Sequence, residues 1–275
     1  MSEIYLVFVV FLFVLAVFDL MVGVSNDAVN FLNSAIGAKV AKFRTIIIVA
    51  AVGVFMGATM SNGMMEVARN GVFHPAMFSL KELMFIFLAV MISDVILLDI
   101  FNNLGLPTST TVSLVFELLG GTTAFVLLKL ANDTTGLTVG DLMNTEKALG
   151  MIMAIFVSVA IAFFFGIVLQ YISRLVFTFT YKKNLKWKIG IFGGVATTAI
   201  FYFMLFKGIK SMSFVTPEIY EYIQNHTLAI LGICFLASTA IMQFLYFLKV
   251  NVFKILVLMG TFALAMAFAG NDLVN

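Results

Sequence analysis

Charge is scarce in this sequence of 275 residues: only 11% are Asp, Glu, Lys or Arg, where soluble domains carry about a quarter. There is one cysteine, so no internal disulfide can form, and Cys234 is expected to pack as a small apolar residue. The net charge of +2 is spread through short loops and not gathered into one patch, which gives no reason to expect nucleic acid as a partner. The two histidines, His74 and His226, fall in or beside loops and are read as solvated side chains. The N-terminus lacks a basic region, and its apolar run continues to Asp19 without a small-residue cleavage site, unlike a signal peptide.

Apolar residues fill the space that charge leaves. They make up 62% of the chain, with a mean hydropathy of +1.11. Runs of about 20 apolar residues recur, the length needed to cross a hydrocarbon core of about 30 Å. We expect an all-α, polytopic membrane protein with about seven to eight hydrophobic segments, near 4–36, 45–66, 82–102, 109–130, 147–172, 189–207, 226–248 and 252–275. A tilt or break is anticipated near Gly23-Val24-Ser25, because the first segment exceeds one crossing. The segment after Pro107 either crosses or forms a re-entrant hairpin near 107–130. If all eight segments cross, the basic points at 39–44, 174–188 and 249–254 share one side. The positive-inside rule makes that side cytoplasmic and leaves the N-terminus outside a cell (inner) membrane.

The stretch from Val17 to Asn30 breaks the apolar pattern. Asp19, Gly23, Asn26, Asp27 and Asn30 are spaced by four, three, one and three and form one helical face. A charge at membrane depth costs about 2.5–3.5 kcal/mol even on lenient scales, so such residues face a cavity, a partner or an ion. A polar seam between helices is the plainer alternative. The Asn-Asp-x-Val-Asn core returns at Asn271-Asp272-Leu273-Val274-Asn275. With seven crossings between them, the two copies are inverted, a habit of secondary transporters. The chain is accordingly divided into a first repeat, 1–248, and the first helix of a second, 249–275.

A second constellation runs Asn102-Asn103-Leu104-Gly105-Leu106-Pro107-Thr108-Ser109-Thr110-Thr111. Four hydroxyls in a row at a helix start exceed what capping needs, and the free N–H groups there suit an anion. Asp94, Asp99 and Glu117 join the acids inside apolar segments, with no lysine or arginine near a segment's middle. Unpartnered acids need cations or protons, and cation-coupled anion uptake follows.

These motifs, in this order, resemble those of the inorganic phosphate transporter (PiT) family. The resemblance implies sodium- or proton-coupled phosphate transport, without enzymatic activity or cofactor. It implies phosphate contacts from Asp27, Ser109, Thr110, Thr111 and Asp272, with Asp19 and Thr108 in support. Asn26, Asp27, Asn30, Asn271, Asp272 and Asn275 are the implied cation ligands, with sodium at Asn26, Asn30 and Asn271. It also implies a homodimer in the bilayer. Two departures stand out. Val112 occupies a position where the family usually has histidine, and no second Pro-Thr-Ser-Thr-Thr follows the second Asn-Asp motif. The chain is therefore expected to be an N-terminal fragment, with a sulfate or other oxyanion permease, or a non-transporting membrane subunit, as the alternatives.

Overall fold

The computed structural model describes residues 2–60, 71–132, 136–177, 185, 187–208 and 216–272, with side chains for all of these except 2–4, 60, 205–208, 217, 271 and 272. The described residues are almost wholly helical. In chain order the helices are α1 (Ser2–Gly37), α2 (Phe43–Met60), α3 (Leu80–Leu104), α4 (Thr110–Ala131), α5 (Val139–Leu142), α6 (Thr145–Phe177), α7 (Lys188–Gly208), α8 (Pro217–Asn225), α9 (Thr227–Phe247) and α10 (Val252–Asp272). Six of them contain stretches long and apolar enough to cross a membrane, in α1, α3, α4, α6, α9 and α10. Two shorter apolar stretches, Phe43–Thr59 and Lys188–Met204, account for the remaining expected segments.

The chain divides into two compact units. The first comprises 1–29, 63–159 and 271–275; the second comprises 30–62 and 160–270. Helices α1 and α6 are each continuous and contribute to both.

In the first unit, α3 packs along α4. Val72, Phe73, Phe78, Ile86, Val90, Leu118, Val126, Leu142 and Met143 form its buried core. Phe73 pairs with Met143 in a single antiparallel bridge, and the flanking His74 and Asn144 amides donate to Leu142 and Val72 carbonyls at 3.0 and 2.9 Å. Helix α3 begins at a capping box: the Ser79 amide donates to Glu82 at 2.6 Å, and the Glu82 amide donates back to the Ser79 hydroxyl. It ends at Gly105, whose φ of +67° is a left-handed cap that a side chain would strain.

The expected break in α1 is absent. The helix passes straight through Gly23-Val24-Ser25, and Gly23 serves close approach instead: a Cβ there would lie 3.5 Å from Thr110 Cγ2 and 3.8 Å from Leu98 Cδ1. Helix α4 has 22 residues, about 33 Å at 1.5 Å per residue, which is enough to cross.

The second unit packs through glycines. Gly53 and Gly57 of α2 lie against Phe262 and Met266 of α10, so these helices run parallel; a Cβ on Gly57 would collide with the Met266 carbonyl oxygen. Gly190, Gly193 and Gly194 of α7 meet Gln243, Met242 and Thr239 of α9, so this pair is antiparallel. At the end of α6, Phe177 stacks edge-on against Phe192 and Phe253. The start of α2, the end of α6, the start of α7, the end of α9 and the start of α10 therefore share one end of the unit.

Candidate functional site

The site in the first unit is built where the polar stripe of α1 meets the turn between α3 and α4. Asn26 is buried and its amide is used almost completely. Its Nδ2 donates to Asn102 Oδ1 at 2.9 Å and to the Leu106 carbonyl at 3.2 Å, while its Oδ1 accepts from the Thr108 amide at 2.8 Å. Asn102 returns the contact, donating from Nδ2 to the Val22 carbonyl at 3.0 Å. Two asparagines thus clamp the end of α3 and the turn that follows it onto α1. In a low-dielectric setting such a satisfied network is rigid, and a half-satisfied one would be costly.

The clamp sets the start of α4 beside Asp27. That carboxylate is buried, and its Oδ2 accepts from Thr110 Oγ1 at 2.9 Å. Ser109 is the N-cap of α4, with a long 3.4 Å contact from the Val112 amide to its hydroxyl. Ser109 is exposed, and Thr108, Thr110 and Thr111 are half-buried. The hydroxyl row and the first-turn amides are thus presented next to a carboxylate. An anion can rest there only if protons or cations offset that charge.

One turn further along, three more acids gather. Asp19, expected only in support, lies against Asp94, and Asp94 against Glu117. Ser113 bridges the last two, at 2.7 Å from Asp94 Oδ1 and 2.9 Å from Glu117 Oε1. A single hydroxyl proton can be given fully to only one of these two oxygens. Asp19 Oδ1 and Glu117 Oε2 are buried atoms without a hydrogen-bond partner. Among the described residues no group of three or more His, Cys, Asp or Glu is arranged to hold a metal ion, this cluster included.

The family resemblance assigns Asn26 to a cation; in the structure its side chain bonds Asn102, Leu106 and Thr108. Asn30 is exposed and falls in the second unit. Asn271 and Asp272 end α10, but their side chains lie outside the described residues, as does Asn275 altogether. Asn102 and Ser113 went unassigned. Ser113 could have been found: Thr110, Ser113 and Glu117 are spaced three and four apart and share a face of α4.

Long apolar helices enclosing a network of acids, amides and hydroxyls define a multi-pass helical membrane protein. The family model described as the phosphate transporter family matches residues 23–275. The chain belongs to that family. A solved structure, "The sodium-dependent phosphate transporter", is similar with a TM-score of 0.66 at 19% identity, over 95% of this chain and 64% of that one, a likeness of fold. The chain thus spans 64%, less than two thirds, of that protein's length. No curated protein sequence matches it.

Proposed function

We propose that this chain takes part in cation-coupled transport of inorganic phosphate across a cell membrane. The observation that carries the reading is the bond from Thr110 to Asp27, held in place by the Asn26–Asn102 clamp. It brings a hydroxyl-rich helix start to a buried carboxylate inside two apolar helices. A protonated phosphate can donate to Asp27 while accepting from Ser109, Thr110, Thr111 and the α4 amides. Asp272, with Asn271 and Asn275, is proposed as the matching half-site from the second Asn-Asp motif.

Sodium and the proton are both candidates for the coupling ion. The solved relative's description names sodium. The cluster of Asp19, Asp94 and Glu117 meets no lysine or arginine among the described residues, and acids at membrane depth without basic partners call for cations or protons. Basic residues at 42–44, 174, 188, 249 and 254 support a cytoplasmic placement for that end. The N-terminus would then be outside.

The test is labelled phosphate uptake into vesicles carrying the protein, with the sodium and pH gradients imposed separately. Uptake driven by either gradient and competed by excess phosphate but not sulfate supports the reading. Equal competition by sulfate would reassign the substrate to oxyanions generally, and no uptake under either gradient would favour a non-transporting subunit.

A further inference from the structure

We propose that the basic end of the second unit holds an anionic phospholipid in the pocket between α7 and the α9–α10 turn. The pocket has a volume of about 410 Å³ and is lined by Leu185, Tyr246, Phe247, Lys249, Val250 and Phe253, among others. Its character is that of a lipid's neck region. Aromatic and aliphatic side chains make the wall, and one ammonium stands at the turn.

Charge selects the occupant. Across 30–62 and 160–270 the only acidic residues are Glu218 and Glu221, on α8, which leads into the opposite end of α9. The parallel α2–α10 pair, the antiparallel α7–α9 pair and the Phe177 contacts bring Arg44, Arg174, Lys188, Lys249 and Lys254 to the pocket's end. The Lys188 ammonium is engaged by the Val176 carbonyl at 3.2 Å. Lys249 is exposed, is held at a φ of +60°, and meets no carboxylate among the described residues. A basic end with no acid of its own, at the mouth of membrane-spanning helices, is complementary to the anionic headgroups of the cytoplasmic leaflet.

The apolar wall separates a lipid from a free anion. A free phosphate would find one ammonium and an amide, and would desolvate aromatic rings without compensation. A phosphodiester on Lys249 instead places its glyceride and first methylenes against Tyr246, Phe247 and Phe253. Its chains then continue along the outer surface of α9, where Phe244 and Phe247 are exposed. The volume fits this neck region and not a whole lipid.

The experiment is native mass spectrometry of the detergent-purified full chain after incubation with phosphatidylglycerol or phosphatidylcholine. The wild type should retain one phosphatidylglycerol in preference to phosphatidylcholine. Lys249→Asn, which tolerates the left-handed backbone, should cut that preference about fivefold, the weight of one lysine at an anionic surface. Val250→Trp, which fills the pocket and leaves the charge, should abolish retention of both lipids. Lys254→Gln removes a charge at the same end but outside the pocket and should change the preference clearly less than Lys249→Asn does. Unchanged preference in Lys249→Asn, or equal losses in Lys249→Asn and Lys254→Gln, would overturn the proposal. So would displacement of the lipid by glycerol phosphate at matched concentration, which would make this a simple anion site. Should Lys249→Asn elute as aggregate in size exclusion, Val250→Trp alone decides.

Discussion

The two units of this chain use opposite means to hold helices together. All but two of the 14 acidic residues lie in the first unit, and all but four of the 16 basic residues lie in the second. The first unit joins α1, α3 and α4 through buried side-chain hydrogen bonds: Asn26 to Asn102, Thr110 to Asp27, and Ser113 to Asp94. The second joins α2 to α10 and α7 to α9 by letting glycine backbones approach closely. In a membrane, where apolar surface alone does little to drive helices together, both devices are effective. They differ in what they leave available. Glycine contacts are saturated by packing, whereas the amide and carboxylate network presents a helix start that a ligand can use. Under the proposed function, substitutions that stop transport should fall in the polar unit.

That contrast can be broken at graded points. Asp27→Asn keeps the shape but removes the carboxylate that accepts from Thr110 and, in the proposed function, meets the phosphate. Phosphate uptake should fall by about tenfold to a hundredfold, since a bond to a charged group is worth about 1.5–3 kcal/mol. Asn26→Ala strips three bonds from the 102–108 turn. It should lower stability by about 2–3 kcal/mol, read as reduced thermal midpoint, because the groups left behind are buried. Gly57→Ala forces a Cβ onto the Met266 carbonyl and should cost about 1–3 kcal/mol. Unlike Asp27→Asn, it should reduce uptake only in step with folded protein. Gly105→Ala acts at a left-handed cap and should cost about 1 kcal/mol.

The smallest effect belongs outside the spans. At α5 the Thr138 hydroxyl and amide donate to Asp141 at 2.7 and 2.9 Å and hold its carboxyl below the ordinary range. A lowered carboxyl contributes stability above its unfolded pKa and loses it as pH falls through the folded value. Thr138→Val should therefore leave stability unchanged below that range. Any loss should be confined to neutral pH and be small for so exposed a group, as a pH series of melting curves would show.

Much of this was legible in advance. Eight apolar segments follow from hydropathy alone, because a bilayer demands a fixed length of apolar helix. The face shared by Asp19, Gly23, Asn26 and Asp27 follows from spacings of three and four. What periodicity cannot supply is the partner. Asn26 meets groups 76–82 residues away, and Asp19 meets Asp94, so the clamp and the acid cluster exist only once α1 lies on α3 and α4. The same reason explains Gly23: sequence marks it as a place where a helix can break, and only the neighbour Thr110 makes it a place of contact. The division into two units was also hidden, since α1 and α6 run unbroken through both.

The most direct measurement is labelled phosphate uptake by Asp27→Asn set beside Gly57→Ala, with each rate divided by the amount of folded protein in the vesicles. The carboxylate variant should lose nearly all specific uptake while the glycine variant keeps the wild-type specific rate. Uptake by Asp27→Asn at the wild-type specific rate would contradict the placement of the phosphate site at Asp27 and the start of α4.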